Sequence, residues 1–323
     1  MNDIVLHNLL SPAILFFILG LAASFAKSDL KFPSALSESL SIYLMIAIGL
    51  KGGMELSQYS IRHVIFPLMG TLLLGIIIPF ITFTVCSWLK LDRKNAIALA
   101  ATYGSVSIVT FGAAVSFLQQ SGTPYEGFMN AMVVLLESPA ILVSILMLRW
   151  MDINEKKSRG VHSLMAIKET FFGKSILLLT GSLCIGLLTG KTALQTVKPL
   201  FVDLYSSILI VFLLGMGLAA GERIGEIRDH GIKLAVLAVA MPLFYGTIGG
   251  FIGTWSGLSV GGTFLMSVLA ASSSYIAAPA ALKHTVPEAN PSIYLGMSLG
   301  ITFPFNIIIG IPLYFNLAQW LHS

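Results

Sequence analysis

Two polar stretches interrupt otherwise apolar segments of this chain: Ala100-Ala-Thr-Tyr-Gly-Ser-Val-Ser107 and Ala270-Ala-Ser-Ser-Ser-Tyr-Ile-Ala277. They begin 170 residues apart and match in their small and hydroxyl-bearing residues. In hydrocarbon, each polar group without a partner costs several kcal/mol, so such stretches need compensation. The pair therefore predicts a polar binding site within a membrane-embedded protein.

The rest of the composition is that of an integral membrane protein. Of the 323 residues, 56% are hydrophobic and 11% charged, and the mean hydropathy is +0.87. One soluble core could not hide this much apolar surface. Because a bilayer-spanning helix needs about 20 apolar residues, we predict an all-α membrane protein with ten transmembrane helices. The ten apolar runs lie near residues 11–26, 34–50, 63–89, 95–119, 124–150, 173–190, 199–220, 233–256, 260–283 and 291–320.

The basic residues indicate the topology. With the N-terminus outside, 15 of the 19 Lys and Arg residues fall in cytoplasmic loops. This is the positive-inside pattern, so we predict a multi-pass protein with both termini outside and a cytoplasmic linker at residues 151–172. The pI near 9.0 does not indicate nucleic acid, because the basic residues are scattered and no aromatic-basic stripe accompanies them.

The second half of the chain repeats the first. The matching segments are residues 14–20 and 176–181, 49–53 and 217–221, 67–71 and 242–247, and the prolines Pro139 and Pro304. Five spans per half is an odd number, so the second repeat, predicted at 173–323, enters the membrane inverted relative to the first, at 1–150. Inverted repeats are typical of secondary transporters, whose substrate sites lie near the bilayer midplane.

Each polar stretch predicts a break in its helix. Broken, crossing helices in spans four and nine would free backbone N–H groups, which suit an anion, and carbonyl groups, which suit a hard cation such as sodium. For any one hydroxyl, the alternative is a simple bond to the carbonyl of the preceding turn. The predicted substrate-binding residues are Gly104, Ser105, Ser107, Ser272, Ser273 and Ser274.

Glu137 is the one carboxylate deep within a predicted span, and charge there is costly enough to indicate function. It is interpreted as a sodium ligand, a proton carrier or a partner of the broken helix; a protonated Glu bonded to a nearby hydroxyl is the structural alternative. In span ten, Pro304 frees a backbone carbonyl. Asn306 is interpreted either as a ligand of the cation or as a hydrogen-bonding contact between helices. The predicted sodium-binding residues are Thr110, Glu137, Thr302 and Asn306.

No metal other than sodium and no cofactor is predicted. The six histidines lie in loops or at span ends without ligand spacing. Cys86 and Cys184 fall within apolar runs and are interpreted as packing residues. Glu126, one turn into span five, is interpreted as a charge at a helix N-terminus.

Three motifs resemble one transporter family. Tyr103-Gly-Ser-Val-Ser-Ile-Val-Thr110 and the runs 270–279 and 286–296 resemble the sodium-dependent bicarbonate permease family, known from cyanobacteria. The resemblance implies two inverted five-helix repeats, a core domain from spans 3–5 and 8–10, and a gate domain from spans 1–2 and 6–7. It also implies bicarbonate between the two breaks, sodium beside it, homotrimers and a location in the bacterial plasma membrane.

The chain departs from the family pattern at Tyr275 and Glu137, where the family has Asp. Its cytoplasmic loop is short, which argues against a regulatory partner. We predict a transporter, and not an enzyme, that carries out sodium-dependent symport of bicarbonate by alternating access. The alternatives are a sodium symporter of another organic anion, as among bile-acid symporters, and a sodium/proton antiporter with Glu137 as the proton carrier.

Overall fold

The computed structural model describes residues 10–154, 172–228 and 231–323, and within these ranges it is helical and contains no strand. The helices are numbered here in chain order. They are α1 Pro12–Phe25, α2 Ser34–Leu56, α3 Ile61–Trp88, α4 Arg93–Gly104, α5 Ile108–Gln120, α6 Met129–Asn154, α7 Lys174–Thr189, α8 Tyr205–Arg228, α9 Ile232–Trp255, α10 Val260–Ala271, α11 Ala277–Thr285 and α12 Pro291–Leu321.

Seven of the described segments are long and apolar enough to cross a membrane: Ser34–Leu56, Ile61–Trp88, Arg93–Gln120, Met129–Leu148, Gln195–Ile224, Ile232–Trp255 and Pro291–Leu321. Three shorter apolar helices, α1, α7 and α10, occupy the other predicted runs. The prediction of an all-helical, multi-pass membrane protein is therefore confirmed.

Local chemistry explains where several helices begin. Asp92 precedes α4, and its carboxylate accepts from the amides of Lys94 at 3.0 Å and Asn95 at 3.4 Å. Ser11 similarly accepts from Ile14 N ahead of α1, whose first residue is Pro12. A polar N-cap satisfies amides that have no partner within the helix, so each helix begins at its cap.

Glycines permit the closest helix contacts. A Cβ on Gly53 of α2 would collide with the backbone carbonyl of Leu183 in α7, and one on Gly217 of α8 would collide with that of Phe17 in α1. These collisions show backbone packed on backbone. Gly181, matched to Gly20 in the sequence repeat, has no atom within 4 Å of its Cβ position, whereas Gly186 packs against α2.

Two sequence-based interpretations need correction. Helix α6 begins at Met129 and not near 124, so Glu126 lies ahead of the helix. Cys86 is fully buried, but Cys184 is exposed, so it is not a packing residue. Most of the predicted linker at 151–172 lies outside the described residues.

Candidate functional site

The break in span four is a short extended segment between α4 and α5. Helix α4 ends at Gly104, and Ser105 has a ψ of 172°. Ser107, also extended, caps α5 because its Oγ accepts from Thr110 N at 3.2 Å. A small hydroxyl residue directly ahead of α5 can therefore cap the new helix.

The break in span nine is built in the same way. Helix α10 ends at Ala271, Ser272 is extended with a ψ of 162°, and α11 begins at Ala277. The Ser274 hydroxyl accepts from Ala278 N at 3.1 Å. Both breaks thus place a serine ahead of a new helix N-terminus.

The two breaks bond directly to each other. Ser274 N donates to Thr102 O at 2.8 Å, and Ser107 N donates to Ser272 Oγ at 3.1 Å. Backbone groups freed by one break are therefore satisfied by the other, which is the compensation that a membrane-embedded break requires.

Hydroxyl groups extend this contact from α5 to Tyr275. Thr110 Oγ1 donates to Ser107 Oγ at 2.9 Å, and Ser107 Oγ donates to Tyr275 OH at 3.3 Å. The Tyr275 ring packs edge-on against Phe303, with centroids 5.2 Å apart. Tyr275 was not among the predicted site residues, because its partner Ser107 lies 168 residues away in the sequence.

Glu137 lies on α6 beside the first break. Its side chain is 2% exposed, and Oε2 has no hydrogen-bond partner among the described residues. Ser105 Oγ does bond to this residue, but to its main-chain carbonyl at 3.2 Å. The broken helix therefore contacts Glu137 through the main chain and leaves Oε2 without a bond to it.

A cavity lies where the new helices begin. The empty space at this point amounts to about 240 Å³, which includes open solvent. Its lining residues are Val106, Ser107, Ile108, Val109, Glu137, Ser175, Ser274, Tyr275, Ile276 and Ala277. The first turns of α5 and α11 thus face one space. Of the first-turn amides, those of Thr110 and Ala278 already bond to Ser107 and Ser274, and Pro279 has no N–H. The partial positive charge of the two helix N-termini nevertheless makes this space suitable for an anion.

Thr302 and Asn306 lie on α12 and do not line this cavity. Thr302 Oγ1 donates to Ala238 O at 2.6 Å, and Tyr103 OH lies 2.7 Å from the same Thr302 atom. Asn306 Nδ2 donates to Ala271 O, the carbonyl at the end of α10, at 2.8 Å. The predicted cation-binding residues therefore form two groups, with Thr110 and Glu137 near the cavity.

The π-helical turns of α12 lie in this second region. They span Gly296–Thr302 and Asn306–Gly310, on either side of the short segment that contains Pro304. The predicted disturbance at Pro304 is thus part of a longer irregularity, and π-turns often lie at functional sites.

The remaining predicted residues pack around the crossing. A Cβ on Gly104 would lie 2.5 Å from Pro79 Cγ and 2.7 Å from Ala140 Cβ, so only glycine fits. Ser273 is buried, and its hydroxyl has no partner among the described residues. Ser272 reaches the site through its bond to Ser107.

Glu126 serves a helix other than the one that follows it. Its carboxylate accepts from Ser259 N at 2.7 Å and Ser259 Oγ at 3.0 Å. Ser259 in turn caps α10 by accepting from Gly262 N at 3.2 Å. Glu126 is therefore a charge at a helix N-terminus, as expected, but that of α10.

Comparison with known proteins gives one family. A family model described as the Na⁺-dependent bicarbonate transporter superfamily matches residues 12–319. The match covers both breaks and confirms the family resemblance of the motifs. No curated protein matches the chain.

Proposed function

Because the chain belongs to the Na⁺-dependent bicarbonate transporter superfamily, we propose that it carries bicarbonate and sodium together across the membrane by alternating access. The observation that carries this proposal is the meeting of the α5 and α11 N-termini at one cavity. Two helix N-termini each present roughly half a positive charge. Together they offset the single charge of bicarbonate without a basic side chain.

We propose further that the helices form ten spans in two inverted repeats. The pairs α4/α5 and α10/α11 then count as one broken span each. In the gate, α1 packs against α8 and α2 against α7. A twofold axis relating the halves exchanges α1 with α7 and α2 with α8, so it converts one of these pairs into the other.

The proposed gate consists of α1, α2, α7 and α8, and the proposed core of the other helices. Two polar contacts between gate and core lie at the loop before α6, where Lys51 Nζ donates to Tyr125 OH and Gly127 N donates to Tyr59 OH, both at 3.4 Å. Such bonds are weak enough to break in each transport cycle.

Sodium is proposed to bind in the region around the anion, at Thr110 and Glu137 near the cavity and at Thr302 and Asn306 on α12. Support comes from the carbonyl ends of α4 and α10, since Na⁺ is a hard cation that prefers oxygen ligands. One sodium with one bicarbonate moves no net charge. A second sodium would add about 2.3 kcal/mol per 100 mV of membrane potential.

The proposed substrate site comprises Gly104, Ser105, Ser107, Ser272, Ser273 and Ser274 around the crossing. The transporter is proposed to act as a homotrimer in the bacterial plasma membrane with both termini outside. Its carried species are then bicarbonate and sodium.

Uptake into proteoliposomes tests this function. Purified protein should accumulate labelled bicarbonate under an inward sodium gradient and not under an equal potassium gradient. Equal uptake under both gradients would contradict sodium coupling. Displacement of the label by bile acids would favour the larger-anion alternative, and proton movement on sodium addition without any anion would favour the antiporter.

A further inference from the structure

Tyr275 has a proton to donate into the cavity. Its hydroxyl accepts from Ser107 Oγ, which itself accepts from Thr110 N and Thr110 Oγ1. Accepting this bond leaves the Tyr275 O–H proton available, since a phenol both donates and accepts. Tyr275 is 8% exposed and lines the cavity, so the partner of that proton is an acceptor oxygen of the occupant.

Glu137 presents the opposite chemistry on the same cavity. Its side chain is 98% buried, and Oε2 is without a partner among the described residues. An ionised carboxylate only accepts hydrogen bonds. No Lys, Arg or His is among the described residues that line the cavity, so Oε2 has no basic side chain to pair with, and an O–H group of the occupant is a suitable donor.

We propose that this pair selects a singly charged oxyanion that carries its own O–H group. Tyr275 donates to an oxygen of the anion, together with the first-turn amides of α5 and α11, while the Glu137 carboxylate accepts the O–H of the anion. The inference rests on the proposed function for the identity of the anion, bicarbonate, and adds how the site recognises it.

The charges of the site favour this arrangement. Two helix N-termini supply roughly one positive charge, and the sodium proposed beside the anion supplies another, so together they offset the negative charges of Glu137 and the anion. A proton shared between the two oxyanions removes their direct repulsion by forming a charge-assisted hydrogen bond. An anion without a proton would place a bare oxygen against the carboxylate.

Nitrate is the matching probe, because it has the planar three-oxygen shape and single charge of bicarbonate but no O–H. A site built to pair with an O–H group strongly rejects an analogue that lacks it, since its buried polar group is left unpaired. Wild-type protein is therefore expected to bind bicarbonate about 100-fold more tightly than nitrate.

Two variants separate the two roles. Glu137→Gln supplies an N–H donor and is expected to reduce the preference for bicarbonate over nitrate to about threefold or less. Tyr275→Phe removes a donor that both anions use, so both affinities fall by about tenfold while their ratio is kept. Ser144→Ala is the control, since Ser144 is a buried hydroxyl on the same helix, without a partner among the described residues.

Calorimetric titration of bicarbonate and of nitrate into purified protein in sodium buffer makes this measurement without requiring transport. Equal binding of the two anions by the wild type would overturn the proposal, as expected for a protonated Glu137 that donates to either anion. An unchanged preference in Glu137→Gln would also overturn it. A wild-type preference lost in that variant, with no sodium-driven uptake, would support the selection and contradict the proposed transport.

Discussion

Ser107 joins the two halves of the site. Its amide donates to Ser272 and its hydroxyl to Tyr275, while that hydroxyl accepts from Thr110 of its own helix. The short side chain of Ser107 contacts Tyr275 and Thr110, while the extended backbone of the same residue directs its amide to Ser272. Capping, crossing and the orientation of Tyr275 therefore depend on a single side chain.

Replacing Ser107 by Ala should weaken anion binding by about tenfold, because the α5 cap and the bond that orients Tyr275 are both lost. The apparent bicarbonate affinity in the uptake assay measures this effect. Ser116→Ala, a change on the same helix outside the cavity, is the control. Identical affinities in Ser107→Ala and wild type would argue against a role for the hydroxyl.

At this scale, the sequence was informative about residue types and less so about partners. Matched small and hydroxyl residues predicted the two breaks, and the depth of Glu137 within its predicted span agrees with its burial beside the first break. The link from Ser107 to Tyr275 was not predictable, because it exists only once two distant segments cross. Thr302 and Asn306 lie on the same helix, but the carbonyls that they donate to, those of Ala238 and Ala271, lie on other helices. These partners were therefore not predictable either.

The helices themselves follow from apolar runs and caps. Each of the ten predicted runs contains a helix, since a chain in hydrocarbon has to satisfy its own backbone, and two of the runs are interrupted by the breaks. The start of α6 was predicted too early. Pro124, Tyr125 and Glu126 give no signal that distinguishes the loop from the first residues of the helix. The carboxylate of Glu126 instead bonds to Ser259, a contact with another helix.

Glu126→Gln should destabilise the protein through α10 by about 1 kcal/mol, because the charge facing the helix N-terminus is removed. Thermal unfolding in detergent should show a lower midpoint for this variant. The exposed Glu288 gives the control Glu288→Gln. A midpoint for Glu126→Gln equal to that of the control would show that the cap carries no stability.

For the whole molecule, the proposal divides the chain into two moving bodies. Helix pairs within the gate approach backbone to backbone at glycines. Gate and core also approach closely, since a Cβ on Gly52 of α2 would lie 2.8 Å from Ala131 N of α6, and the Lys51 and Tyr59 contacts join the two bodies at the α6 loop. Alternating access requires the contacts between gate and core to break while the contacts within the gate are kept.

A short bismaleimide linker between Lys51→Cys and Tyr125→Cys should therefore abolish sodium-driven bicarbonate uptake. The background is Cys86→Ala with Cys184→Ala, since Cys184 is exposed and would react. Labelled uptake before and after cross-linking measures the effect.

The control is a cross-link within the gate. Glu38 and Lys174 form an ion pair at 2.5 Å between α2 and α7, so linking Glu38→Cys to Lys174→Cys should preserve uptake. Full activity after cross-linking Lys51→Cys to Tyr125→Cys would contradict motion between these two bodies.

The central claim is that the two crossing breaks form the anion site, and an electron cryomicroscopy map of the protein in sodium bicarbonate tests it most directly. We predict density for a three-oxygen anion between the first turns of α5 and α11, within hydrogen-bond distance of Tyr275 OH and Glu137. Anion density elsewhere, with this cavity filled by side chains, would contradict the account.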